Sequence, residues 1–127
     1  DEYVAKHKAL FDSHHLHFIP LIAPQSPDER IRHIDSQAEG FIYTVASAGI
    51  TGNIKTSVDY RTAYFDRIRN LKLRNKAVIG FGIKDSASYK HACEHADGAI
   101  IGTAFVNYVK ENGTSEEAIK KFVSAIR

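Results

Sequence analysis

Short apolar runs alternate along the chain with longer segments in which apolar residues recur every three or four positions. The short runs predict buried strands and the longer segments predict amphipathic helices, because these are the periods of the two structures. The predicted strands are residues 17–24, 40–47, 76–83 and 98–106, the last of which runs into a turn. The predicted helices are residues 26–38, 58–73, 86–96 and 116–127, and the opening residues 1–8 are also typical of a helix.

Polar residues mark the starts of several predicted helices. Ser26 and Thr114 are each followed three residues later by a glutamate, which is the spacing of a capping box. Asp85 stands where a cap is expected before the third of these helices. Residues 48–57 are rich in Gly, Thr, Asn and Ser, and this composition predicts a loop.

The order of elements predicts an α/β fold with a parallel sheet. A first helix is followed by four strand–helix units, and such alternation is typical of parallel strands joined by right-handed crossovers. Two architectures fit this order: an open, doubly wound sheet, or part of a (β/α)₈ barrel. A whole barrel usually needs about 250 residues, and this chain has 127. Either the sheet is open or half of the barrel is missing.

Composition narrows the possible functions. The formal net charge is +2, and the 17 Lys and Arg residues are spread along the chain, which disfavours a nucleic-acid or membrane surface. The single cysteine, Cys93, cannot form an intramolecular disulfide and fits a reducing, cytoplasmic location. Methionine is absent even at position 1, so we expect a piece of a longer polypeptide.

Four potential metal ligands stand close together in the predicted helix 86–96: His91, Cys93, Glu94 and His95. On a helix, His91 and His95 share one face, which makes a metal site conceivable. No fourth ligand follows at a recognisable spacing. An exposed helix face is therefore the favoured interpretation, and no metal is predicted.

Glycines are concentrated at the ends of the predicted strands. Gly80 and Gly82 flank an aromatic residue in the third strand, and Gly102 with Thr103 ends the fourth. Glycine exposes its amide N–H to a ligand because no Cβ blocks the approach, and ligands of parallel α/β folds bind at the carboxyl ends of strands. The apolar turn 103–109 would add free amides and a positive dipole end. These features predict a phosphate-binding site.

Three stretches resemble the α subunit of tryptophan synthase: "GFIYTVASAGITG", "IGFGIKD" and "GAIIGTAFV". The resemblance extends over almost the whole chain. It implies a (β/α)₈ TIM barrel, of which residues 1–127 would be a single segment containing strands five to eight with their helices. It also explains the four units and the helix-like opening.

The resemblance assigns roles to nine residues. It implies that four of them hold the phosphate of indole-3-glycerol phosphate: Gly52, Gly82, Gly102 and Thr103. It implies that Phe81 packs against the indole ring and that three further residues form the same pocket wall: Leu21, Tyr43 and Ile100. Thr51 matches a loop threonine that helps to position a catalytic aspartate. The family usually has a basic residue where this chain has Ser47, and more often serine at position 103.

The reaction implied is a retro-aldol cleavage to indole and glyceraldehyde 3-phosphate, which requires general acid–base groups. In the family these are carboxylates from the first half of the barrel, so we expect no turnover from this chain alone. Asp59, Asp85 and Asp97 are better explained as helix or turn residues. The resemblance implies a β-subunit partner that carries pyridoxal phosphate, with no cofactor in this chain. Unpaired sheet edges also predict self-association or pairing with the missing half.

Two other functions remain open at this point. One is a different phosphosugar-binding barrel enzyme, such as a relative in histidine or thiamine biosynthesis. The other is a non-catalytic phosphate-binding module with an open sheet. The stretch "GFIYTVASAGITG" favours the resemblance to the tryptophan synthase α subunit over both of these functions.

Overall fold

A computed structural model describes residues 2–45, 58–80 and 82–127, with backbone alone for residues 58–61. The elements are α1 (Glu2–Lys6), α2 (Lys8–Ser13), β1 (Leu21–Ile22), α3 (Asp28–Gln37), β2 (Phe41–Val45), α4 (Val58–Asn70), β3 (Lys76–Gly80), α5 (Ser86–His95), β4 (Gly98–Ala99), α6 (Thr103–Asn112) and α7 (Glu116–Ile126). Within the described ranges, every helix is too short or too polar to cross a bilayer.

The four strands form one sheet in the order β1-β2-β3-β4, and each neighbouring pair is parallel. β2 and β3 pair over their whole lengths, from Phe41 with Lys76 to Val45 with Gly80. The predicted α/β fold with a parallel sheet is thus confirmed. Because the strands point the same way, their carboxyl ends lie along one edge of the sheet.

The two faces of the sheet differ in burial. One face carries Ile22, Ile42 and Ile79, which are at most 1% exposed and pack with apolar residues of the helices. Those helix residues are Ile31, Tyr64, Phe65, Ile68 and Ala92. The other face carries Leu21, Tyr43, Val78 and Gly98, which stand side by side in register and are all less buried. The core therefore lies between the sheet and its helices, and the opposite face is more open.

Several local predictions are wrong. β1 and β4 have two residues each, because hydrogen-bonded pairing with the neighbouring strand covers fewer residues than the apolar runs 17–24 and 98–106 from which they are predicted. Residues from Thr103 form a ten-residue helix rather than a short turn. Ser26 does not cap α3: its Oγ accepts a hydrogen bond from the backbone N of Ala23 at 3.1 Å.

The predicted cap at Thr114 is also wrong, since Ser115 caps α7 and accepts from the backbone N of Ala118. Asp85 is confirmed as the cap of α5, because its carboxylate accepts from the backbone N of Ser88 at 2.8 Å. The seryl hydroxyl of Ser88 in turn accepts from the backbone N of Asp85 at 3.1 Å.

A buried carboxylate joins α3 to the start of β3. Asp35 is 9% exposed and accepts hydrogen bonds from the backbone N of Arg74 at 2.8 Å and of Asn75 at 2.9 Å. The Asn75 amide Nδ2 donates to it as well, at 2.9 Å. Burial by itself raises the pKa of Asp35, but these hydrogen bonds outweigh it and the pKa lies below its ordinary value. The ionised form is therefore the one that holds this end of the fold together.

We expect D35N to lower the free energy of unfolding at pH 7 by about 2 kcal/mol, because charge-assisted hydrogen bonds to the buried carboxylate are lost. The pKa of Asp35 is lower in the folded than in the unfolded state, where it is about 3.9. The stabilisation by its carboxylate is therefore fully present above that pH and is lost as the pH falls through the folded-state pKa. The difference between wild type and D35N should therefore shrink below pH ~4. Urea unfolding across pH measures it. E2Q, which removes an exposed i,i+4 partner of Lys6, should change stability by about 0.5 kcal/mol or less.

Candidate functional site

A cavity of about 540 Å³ lies at the carboxyl ends of β2, β3 and β4. Its lining residues are Tyr43, Gly82, Ile83, Lys84, Ile100, Gly102, Thr103, Ala104 and Asn107. They come from β2, from the residues that follow β3 and β4, and from the first turns of α6, so the sheet and the helix start border the space together. Such a position is where parallel α/β folds bind ligands.

Five of the predicted site residues meet in this cavity: Gly82, Gly102, Thr103, Tyr43 and Ile100. Their convergence follows from the sheet, since the backbone N of Ile100 donates to the carbonyl of Ile79 at 2.8 Å and extends the register beyond β4.

Four predicted site residues are not placed there. Thr51, Gly52 and Phe81 lie outside the described residues, as does Ser47. Leu21 pairs in register with Tyr43 but lines a different cavity, of about 320 Å³, with Tyr3, Phe18 and other residues. β1 is an edge strand, and the side chain of Leu21 is 55% exposed there.

The start of α6 supplies backbone donors to the cavity. Gly102 is the N-cap residue and no side chain caps the helix. The first amides of a helix have no acceptor within it, and the N-terminus carries partial positive charge. A Cβ built on Gly102 would have no heavy atom of the described residues within 4 Å, and the same is true of Gly82, whose φ of +77° favours glycine. Both backbones are thus open to the cavity.

Lys84 and Asn107 line the cavity although sequence reasoning did not select them. Lys84 follows Gly82 by two residues, and its side chain is exposed. Its neighbour Asp85 instead accepts hydrogen bonds from Ser88, and these bonds hold the pKa of the Asp85 carboxyl below its ordinary value. A lysine two residues after Gly82, directly after the predicted strand 76–83, is the sequence signal that could have identified this cation.

The aspartates considered as catalytic groups are engaged at other places. Asp85 caps α5, and Asp97 stands before β4, at the opposite end of the sheet from the cavity. Asp97 accepts from Lys76 Nζ and from the backbone N of Ala77, both at 2.9 Å. The side chain of Asp59 lies outside the described residues.

Gly80 has a packing function that sequence reasoning missed. A Cβ built on Gly80 would overlap the phenol of Tyr43 and stand 2.6 Å from its Cε1. Tyr43 is on the neighbouring strand, and its ring leans across the bare backbone of Gly80 toward the cavity. Glycine at this position therefore sets the direction in which the Tyr43 side chain enters the site.

The fold and the position of this cavity place the chain among the (β/α)₈ barrels, of which it forms about half. The solved structure of tryptophan synthase subunit alpha from Campylobacter jejuni is similar, with a TM-score of 0.71 and 28% identity over 92% of this chain and 46% of that one. The tryptophan synthase A-subunit of Pyrococcus furiosus has a TM-score of 0.71 and 25% identity, over 98% of this chain and 50% of that one.

Sequence comparison agrees. Residues 2–126 match the family described as tryptophan synthase alpha chain. The tryptophan synthase alpha chain of Christiangramia forsetii is 45% identical over 100% of this chain and 49% of its own length. That of Flavobacterium johnsoniae is 43% identical over the same shares. The chain belongs to the tryptophan synthase alpha chain family, and it spans about half the length of the curated relatives it matches.

We expect G80A to lower the free energy of unfolding by about 1–3 kcal/mol, because the new methyl group has to displace the Tyr43 ring. In a Y43A background the same change should cost much less, so the double-mutant cycle should show coupling of at least about 1 kcal/mol. G98A is the matched control, since a Cβ there would meet only Val78 Cγ1, at 3.9 Å. Additive effects of G80A and Y43A in chemical unfolding would contradict this interpretation.

Proposed function

We propose that the whole protein is a tryptophan synthase α subunit, a lyase that cleaves indole-3-glycerol phosphate to indole and glyceraldehyde 3-phosphate. Residues 1–127 would act in it as one half-barrel segment. The observation that carries the proposal is the convergence of Gly82, Gly102 and Thr103 on one cavity at the carboxyl end of the sheet. Membership of the family supplies the identity of the substrate.

The cavity has the chemistry that a phosphate dianion needs. Amides at the start of α6 donate hydrogen bonds, and the helix dipole favours negative charge there. The Thr103 hydroxyl adds a donor, and Lys84 adds a cation beside the same space. We infer that Gly52, which lies outside the described residues, completes this phosphate site as the family resemblance implies.

The remaining wall of the cavity suits an aromatic ring. Tyr43 and Ile100 present apolar surface between the strand ends and the start of α6. We infer that the indole of the substrate lies against them, with Phe81 on the same ring. By the same resemblance Thr51 would order its loop over the substrate, and Leu21 would reach the indole wall in the assembled barrel.

The acid–base groups are proposed to come from the other half of the barrel. Cleavage requires a proton to be placed on the indole ring carbon and another to be taken from a side-chain hydroxyl. Asp85 and Asp97 already serve as a cap and a loop anchor. We therefore infer that this chain binds substrate but does not turn it over. The whole protein would deliver indole to a β subunit that carries pyridoxal phosphate, in the cytoplasm.

The test is a calorimetric titration of the full chain with indolepropanol phosphate and with glycerol 3-phosphate. Both should bind, and the indole compound should bind more tightly because it also covers the apolar wall. G102A should weaken both by about 10- to 100-fold, since a Cβ would occupy the phosphate position and about 1.5–3 kcal/mol of charge-assisted bonding would be lost. G102A should lower the free energy of unfolding by about 1 kcal/mol or less, because alanine is a poorer N-cap than glycine but its Cβ meets no described atom.

T103S is the control for this titration, because it keeps both the amide and the hydroxyl. Equal affinity for the two compounds would remove the indole assignment and leave a general phosphosugar site. Unchanged affinity in G102A would show that the helix start does not bind the phosphate.

Self-association is the second part of the proposal. β1 and β4 are the edges of the described sheet, and one sheet face stays open. Exposed apolar side chains in β1 and in the segment 8–20 that precedes it include Leu10, Leu16 and Leu21, which are 53–56% exposed. A second copy, or the other half of the barrel, would cover them.

We expect multi-angle light scattering to give a mass above that of one 14.2 kDa chain, rising with concentration. L21K should shift the equilibrium toward the monomer, because a charge would enter the covered face. V123K is the control, on a 44% exposed apolar residue of α7, which packs against α5 and α6. A monomer at every concentration would contradict the proposal.

A further inference from the structure

We propose that His91, Glu94 and His95 form a binding site for a divalent transition metal ion such as zinc. One potential ligand atom from each lies within 4.8 Å of the others. Two histidines four residues apart on a helix present both imidazoles on one face, which is how a single helix supplies two nitrogens to zinc. This site is at the far end of α5 from the phosphate cavity and is independent of it.

The three side chains already contact one another. His91 Nδ1 lies 3.4 Å from Glu94 Oε2, and the rings of His91 and His95 meet edge to face with centroids 5.2 Å apart. Ligand atoms on a tetrahedral zinc are about 3.4 Å apart, as bond lengths near 2.1 Å require. His91 and Glu94 are more than half exposed, so their rotation can close the remaining distance without moving the backbone.

His95 is the anchored member of the group. Its side chain is 17% exposed, and its ring is stacked against Phe65 with centroids 6.1 Å apart. Its Nδ1 is buried and makes no hydrogen bond within the described residues. Because Nδ1 faces Asp66 of the neighbouring helix, Nε2 is the ring nitrogen that would bind the metal, and packing against Phe65 fixes the ring orientation.

A carboxylate from a different helix completes the arrangement. Asp66 Oδ1, on α4, lies 3.7 Å from His95 Nδ1. Carboxylates beside metal-binding histidines orient the ring and raise its basicity. Arg69, also on α4, donates to the backbone carbonyl of Glu94 and ties the last turn of α5 to its neighbour. Sequence spacing could not indicate Asp66, because it stands 25 residues before His91.

The ligand set selects the class of metal. Two imidazoles and one carboxylate suit zinc, copper or nickel, whereas magnesium and calcium prefer oxygen ligands alone. The carboxylates of Glu94 and Asp66 also supply the negative charge that a divalent cation requires. Cys93 is exposed on the same helix but is not part of the group.

The test is a zinc titration of the full chain against a chromophoric chelator, under a non-thiol reductant. Wild type should bind one zinc ion, and magnesium in excess should not compete. H91Q should weaken binding at least about tenfold, and D66N about 10- to 100-fold if Asp66 orients His95. H91Q is the primary variant, because His91 is exposed and its loss leaves the packing of Phe65 intact.

Two controls separate this site from other ligands of the chain. H14Q/H17Q removes two exposed imidazoles elsewhere, and C93S removes the thiol; both should retain wild-type affinity. Loss of binding in either control, equal binding by wild type and H91Q, or no zinc binding by wild type would each overturn the proposal. Zinc should also raise the melting temperature of wild type and not of H91Q, since a ligand of the native state stabilises it.

Discussion

Parallel pairing between neighbouring strands is the constraint on which the candidate site depends. β2 and β3 pair along their full lengths, and the Ile100 to Ile79 hydrogen bond carries the register past the end of β4. The carboxyl ends of these parallel strands therefore lie along one edge of the sheet. Gly82 and Gly102 meet at one cavity because main-chain hydrogen bonds position them, and no contact between their own side chains is needed.

The two glycines that flank residue 81 have different physical reasons to be glycine. Gly80 lies inside the sheet, where any Cβ would overlap the Tyr43 phenol. Gly82 lies beyond the strand with a positive φ, and its missing side chain leaves the cavity open. One glycine therefore shapes the ring that lines the site, and the other exposes backbone to it. Gly80 affects the cavity through Tyr43, whereas Gly82 lines the cavity itself.

The sequence predicts the order of elements, the parallel sheet and the meeting of Gly82 with Gly102, because these follow from periodicity and from the geometry of parallel strands. It does not predict that Ser115, rather than Thr114, caps α7, since the choice depends on the backbone angles at the turn. Nor does it predict that Tyr43 contacts Gly80 across the sheet, 37 residues later in the chain. Contacts of this kind follow from strand register, which local patterns do not contain.

The two ends of the sheet use polar groups in opposite ways. At the amino end, Asp35 and Asp97 are ionised carboxylates that accept hydrogen bonds from the loop before β3 and from the first residues of β3, so donors and acceptors are matched within the chain. At the carboxyl end, the helix start at Gly102 has no side-chain cap, and its donors face the cavity. This is the division that barrels show between a stabilising face and a reactive face.

That division also explains how binding and chemistry can be separated between halves of a barrel. The described part of the proposed phosphate site comes from the residues after β3 and β4 and from the start of α6. In the function proposed above, the acid and the base both come from the other half of the barrel, so the catalytic site would form only where the two halves meet. A half-barrel would then contribute the proposed anion site, while the proposed catalytic site would depend on both halves.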